Sequence, residues 1–242
     1  MSSNTRRYLE LRHREMWVQL FTEGLDKYST PKTKADVLNG RDEISPSSTT
    51  SKVCDWICAA IKRLDLLVTD KETRQNIMLC CSNRFPVDLM KPLREEFDQT
   101  GDLDALLALM DEDRSWHGFS RYGCIERNAN ILYVTKIPAD PEGFKSTTDK
   151  TEKQVRYCHC PHIRPAIRKQ KRISPTFCLC GSGCYKTLWE GLLNQSVHVE
   201  VLETVAQGAT YCRFAIHLPD QFKTDANKGQ NERLELPYWQ TA

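Results

Sequence analysis

Residues 197–218 read V-H-V-E-V-L-E-T-V-A-Q-G-A-T-Y-C-R-F-A-I-H-L. Two β-branched and aromatic runs, Val197 to Val205 and Tyr211 to Leu218, flank Ala206-Gln207-Gly208-Ala209, and that arrangement predicts an antiparallel hairpin. Successive side chains of a strand point to opposite faces. Val197, Val199, Val201, Glu203 and Val205 therefore share one face of the first strand. Cys212, Phe214, Ile216 and Leu218 share one face of the second. A turn over Ala206 to Ala209 pairs Val205 with Thr210 and Glu203 with Cys212, setting a carboxylate beside a thiol on an otherwise apolar face. A buried, unpaired carboxylate is costly, so Glu203 calls for a metal, a base or a proton. The alternative is an edge position open to solvent, or a bulge that turns Glu203 outward.

Upstream, a helix is expected with Tyr185, Leu188, Trp189, Leu192 and Leu193 on one stripe, and strands are expected at Ile131–Ile137, Gln154–Cys160 and Phe177–Cys180. Between the last strand and the helix, Gly181-Ser182-Gly183 reads as a turn. The first half is helical in pattern. Helices are expected over Arg6–Lys27, from Val53 through Val68, over Glu72–Ser82 and Pro86–Glu96, and from Asp102 after Gly101. The polar stretch Ser29–Ser51 reads as a loose linker. The fold class expected is α+β, with a helical N-terminal half and a C-terminal antiparallel sheet packed with helices. The expected division is a helical region over 1–115, a cysteine-rich α+β domain over 116–220, and a polar tail over 221–242.

The chain has 242 residues, enough to bury a core without disulfides, and a formal net charge of +2. Nucleic-acid binders carry a stronger basic excess, so that partner class is not expected. The basic run Arg164–Arg172 reads as a solvated loop. No apolar run reaches the ~20 residues of a membrane span, and Met1–Glu15 has no signal-peptide core, so a cytoplasmic protein is expected.

Eleven cysteines are then the main anomaly. In a reducing compartment they remain thiols or bind metal, or act simply as small apolar side chains. Cys158-His159-Cys160, with His162 after Pro161, and Cys178-Leu179-Cys180 are two Cys-x-Cys elements. On strands, each would present two sulfurs on one face, which suits zinc or an iron–sulfur cluster. Cys180-Gly181-Ser182-Gly183-Cys184 lies at the mouth of the expected helix. There Gly181 and Gly183 let backbone approach a ligand, and the helix end lowers a thiol pKa, making Cys180 or Cys184 a candidate nucleophile. Cys54, Cys58, Cys80 and Cys81 fall on expected helices and read as core; Cys124 has no assigned role.

The run F-C-L-C-G-S-G-C-Y-K-x-L-W-E-G-L-L from Phe177, followed by V-x-V-E-V-L-E-x-V-x-x-G-x-x-x-C-R-F-A-I to the end of the hairpin, resembles the 4-vinyl-reductase-like superfamily. Within it the chain looks most like uncharacterised proteins near L-2-amino-thiazoline-4-carboxylic acid hydrolase. The resemblance covers roughly Val155 to Leu218. It implies a small α+β domain enclosing a small, partly apolar ligand, with a zinc held by a strand carboxylate and cysteines. Cys212 matches the last of those cysteines and Glu200 or Glu203 the carboxylate. The chain departs from the pattern at Thr204, where another cysteine would stand, and Cys158, Cys160, Cys178 or Cys180 would have to replace it.

Together these readings lead to a small-molecule-binding protein with a cysteine and carboxylate metal site, zinc or alternatively iron–sulfur. Cys158, Cys160, His162, Cys178, Cys180 and Cys212 are the candidate ligands. Tyr157, Gly181, Gly183, Tyr185, Trp189 and Phe214 are the candidate pocket residues. The competing reading is a thiol- or metal-dependent hydrolase or lyase acting on a small sulfur- or nitrogen-containing compound, with Cys180, Cys184 and Glu203 as its catalytic groups. A lid, a homodimer surface and half of the pocket wall are the roles open to the helical half.

Overall fold

A computed structural model of the protein describes residues 3–82 and 85–222, with side chains from residue 15 onward. In chain order it contains α1 (Ser3–Tyr28), α2 (Pro31–Val37), α3 (Thr50–Leu67), α4 (Lys71–Cys80), α5 (Val87–Thr100) and α6 (Leu103–Glu112). These are followed by β1 (Cys124–Asn128), β2 (Ile131–Thr135), α7 (Pro141–Ser146), α8 (Lys150–Tyr157) and α9 (Arg164–Arg168). Last come α10 (Leu179–Leu193), β3 (His198–Glu203) and β4 (Arg213–His217). The architecture is α+β, with a helical N-terminal half and one antiparallel four-stranded sheet in the order β1-β2-β4-β3.

The chain divides into two compact units that interleave in sequence: residues 1–83 with 158–183, and residues 84–157 with 184–242. In unit one, α3 buries an apolar stripe. Val53, Ile57, Ala60, Ile61 and Leu64 recur at helical spacing and are all buried. The Thr49 hydroxyl caps it by accepting the Lys52 amide at 3.2 Å. α1 packs on α4 closely enough that a side chain at Gly24 would meet the Ile77 carbonyl at 2.7 Å.

Unit two is built on the sheet. Leu132, Val134, Val199, Phe214 and Ile216 come from alternate strand positions and join Leu106 and Met110 of α6 and Leu188, Trp189 and Leu192 of α10 in one core. Gly101, at φ +63°, ends α5, and Asp102 caps α6 by accepting the amides of Asp104 and Ala105. The hairpin of β3 and β4 turns through a 3-10 segment, Val205–Gln207, and Gly208 at φ +94°. At that φ a side chain would be strained.

Several local expectations are corrected. Gln154–Cys160 is not a strand. Its first four residues close α8, where Asp149 accepts the Glu152 amide at 2.7 Å and Glu152 pairs with Arg156 at 2.9 Å. Phe177–Cys180 is not a strand either: Pro175–Cys178 is a 3-10 turn and Leu179 begins α10. Its shape is held by Asp65, which accepts the hydroxyls of Ser174 at 2.5 Å and Thr176 at 2.6 Å. Gly181-Ser182-Gly183 lies inside α10 rather than in a turn.

The stretch Ser29–Ser51 holds α2, opened by the Thr30 hydroxyl and Pro31, and is not wholly a loop. The polar stretch Ala139–Lys153 contains α7, capped by Asp140. The strand β1 was not foreseen. Of the expected polar tail, residues 223–242 lie outside the described residues, and Asp220–Phe222 form a 3-10 turn.

Candidate functional site

Eight of the eleven cysteines belong to unit one: Cys54, Cys58, Cys80, Cys81, Cys158, Cys160, Cys178 and Cys180. None of the eight forms a disulfide. The segment carrying the first Cys-x-Cys element is pinned by Arg164, whose Nε and Nη2 donate to the Cys158 carbonyl at 2.9 and 2.6 Å. Such a charge-assisted, two-pronged contact fixes a loop more firmly than a single neutral bond. The buried Cys158 thiol points along the loop to the Cys160 carbonyl at 3.7 Å. The second element is fixed by Ser82, whose hydroxyl donates to the Cys180 carbonyl at 2.7 Å.

Between the two elements the sulfurs meet. The Cys160 and Cys180 thiols hydrogen-bond one another, and Cys81 and Cys178 lie within electrostatic reach of Cys180. The hydrogen bond to Cys160 raises the Cys180 pKa most, followed by burial and then by the negative charge its neighbours would carry. Cys81 is raised by burial first. Among the described residues, no three His, Cys, Asp or Glu side chains form a group that could hold a metal ion. His162 is buried and sits against the Trp17 ring, with centroids 6.2 Å apart.

The glycines expected to cradle a ligand have a visible packing task at one position. A Cβ on Gly183 would lie 1.9 Å from the Ser82 hydroxyl and 2.6 Å from Ser82 Cβ. Gly183 therefore permits close approach of the chain just after α4. Gly181 is half-buried on the same helix.

The remaining predicted residues are in unit two. Cys212 and Glu203 are not cross-strand partners: a bulge between Val201 and Glu203 shifts the register, and Glu203 pairs with Arg213. One extra residue on β3 reverses the facing of everything beyond it. The Cys212 sulfur accepts the Val205 amide at 3.5 Å, and the Cys212 amide donates to the Tyr157 hydroxyl at 3.2 Å. That hydroxyl in turn donates to the Lys136 carbonyl. Tyr185 and Phe214 pack on each other at 5.0 Å, with the Lys136 ammonium over both rings at 5.7 and 5.9 Å. Trp189 is wholly buried in the sheet–helix core.

Cys184, on the unit-two part of α10, has its pKa raised by burial, an effect partly offset by the Lys136 charge. Activated nucleophilic thiols need the opposite shift. Glu200 is exposed, with His217 3.7 Å away, and His217 stands opposite His198. The basic run finds partners in unit one. Besides Arg164, Lys169 donates to the Ser51 hydroxyl at 2.6 Å and Lys171 pairs with Asp55 at 2.5 Å.

Sequence reasoning passed over Cys81, which the helical pattern assigned to packing. Its adjacency to Cys80, on a helix otherwise of mixed polarity, was the available signal. No helix among the described residues is long and apolar enough to cross a membrane. Compared with protein-family models, with curated proteins and with solved structures, the chain matches nothing.

Proposed function

We propose that the protein binds a soft metal ion, zinc in the first instance, through cysteine thiolates of unit one. Cys160 and Cys180 are the founding pair, and Cys178 and Cys81 complete a four-sulfur set. The observation that carries this reading is the contact between the Cys160 and Cys180 thiols, which come from separate segments and have two further cysteines in electrostatic reach. The donor chemistry fits: four sulfurs and no hard oxygen donor suit a soft, tetrahedral cation such as zinc or the irons of a cluster. Side-chain rotation would have to draw the four together, since no three donors yet share a centre among the described residues.

The high thiol pKa of Cys180 fits a resting state in which its proton is released only to a metal, because a cation favours the thiolate that burial opposes. The proposed set uses cysteines of unit one; Glu203 and Cys212 belong to unit two.

The test is elemental analysis of protein purified anaerobically without chelator, alongside a count of free thiols in the native and denatured states. About one equivalent of zinc, or several of iron, with at least three thiols protected, is the expected result. Cys160→Ser and Cys178→Ser should abolish metal retention, and Cys212→Ser should leave it intact. Absence of metal with all eleven thiols reactive would overturn the reading.

A further inference from the structure

A second thiol pair lies on α3, apart from the set just described. Cys54 and Cys58 are four residues apart on one helix, a spacing that puts two side chains on the same face with Cβ atoms about 5–6 Å apart. Their thiols hydrogen-bond one another. Cys54 is buried, while Cys58 is half-buried and reachable. The contact with Cys58 and burial hold the Cys54 thiol well above its ordinary value, and burial and the Asp55 carboxylate oppose charge on both sulfurs; two groups partly offset this. The Ala166 amide, in α9, donates to the Cys54 sulfur. Lys171, held by Asp55 at 2.5 Å on the intervening turn of α3, is close enough to interact electrostatically with both sulfurs.

Two sulfurs meet here, and Asp55, the nearest carboxylate in sequence, is engaged by Lys171. No third donor converges on them among the described residues. Zinc and cluster iron require about four donors, and calcium and magnesium require oxygens, so a two-sulfur site suits none of them. Soft monovalent copper prefers thiolate sulfur and is satisfied by two donors in a near-linear arrangement.

We propose that Cys54 and Cys58 form a two-coordinate thiolate site for a soft monovalent cation, of which copper(I) is the representative. Binding exchanges two thiol protons for one cation and leaves a net charge of −1 on the centre. Lys171 lies where it offsets that charge, acting as a positioning residue rather than a ligand. The site does not depend on the four-sulfur set, and either can fail without the other.

The experiment is an anaerobic copper(I) titration of the reduced, full-length chain, buffered by the chelator bicinchoninate. Cys58→Ser should take up one equivalent fewer than the wild type, whereas Cys160→Ser should retain that equivalent. Lys171→Gln should keep it with about 10-fold weaker binding, the usual scale for losing an outer partner of a metal ligand. X-ray absorption on Cys160→Ser protein loaded with one equivalent of copper(I) should show two sulfur neighbours only. Equal uptake by Cys58→Ser and the wild type, or no uptake by the wild type, would overturn the site. Should Cys58→Ser not fold, Cys160→Ser protein with one equivalent of copper(I) decides the matter through iodoacetamide mapping. Protection of Cys54 and Cys58 together supports the site, and labelling of both refutes it.

Discussion

Glu203 and Arg213 stand opposite each other at the bulged end of the β3–β4 ladder, with carboxylate and guanidinium 3.7 Å apart. The carboxylate is 42% exposed, so neither its desolvation nor its ion pair contributes much. Glu203→Gln should therefore shift the urea unfolding free energy by about 0.5 kcal/mol or less. It should also leave metal content unchanged. Loss of metal in that variant would return Glu203 to the ligand set and place the centre in the hairpin.

The Tyr157 hydroxyl serves two backbone groups at once, the Lys136 carbonyl and the Cys212 amide, in a place where the ring is fully buried. Tyr157→Phe removes both bonds. The expected cost is about 2 kcal/mol, visible in equilibrium denaturation, since each lost hydrogen bond costs on the order of 1 kcal/mol. A neutral result would mean that the end of β2 and the start of β4 do not depend on this bridge.

At Gly183 the obstacle to any side chain is Ser82. Gly183→Ala is expected to destabilise the protein by about 1–3 kcal/mol through overpacking, despite the better helix propensity of alanine. Adding Ser82→Ala should recover only part of that loss. It removes the hydroxyl 1.9 Å from the new methyl, leaves Ser82 Cβ's counterpart at 2.6 Å, and forfeits the bond to the Cys180 carbonyl. Melting temperatures of the single and double variants measure both effects.

Burial, assisted by the negative charges of Glu126 and Asp111, pushes the Cys124 thiol up to about 11. Since the thiolate is the reactive form, Cys124 should alkylate at pH 8 roughly 100-fold more slowly than an unperturbed cysteine. Its native-state rate should keep rising until the pH nears 11. The same shift has a stability consequence. Above the ordinary thiol value the unfolded chain has lost this proton while the folded chain retains it, so stability is complete below about 9.0 and falls as pH rises towards about 11. Peptide-resolved iodoacetamide rates across that range test the first statement. Comparison of denaturation curves with Cys124→Ala tests the second.

The sequence by itself determined the elements whose pattern and punctuation agree. α3 carries an uninterrupted apolar stripe from Val53 to Leu64. α6 is announced by Gly101-Asp102, and β3 and β4 by alternation around a glycine turn. From these the α+β class follows, because each such signal is local and is read within one turn or one strand. Gln154–Cys160 misled because its apparent alternation competes with a cap at Asp149 and a Glu152–Arg156 pair that favour a helix. Phe177–Cys180 misled because its turn is imposed by Asp65, more than a hundred residues earlier. The thiols show the same divide. Cys54 and Cys58 meet through helical spacing alone, whereas Cys160 meets Cys180 only because Arg164 and Ser82 hold two separate segments in place. Tertiary structure alone decided that contact, and it decided equally that a one-residue bulge would take Glu203 away from Cys212. Spacing along the chain says which side chains share an element; which elements bring their side chains together depends on the packing of the whole chain.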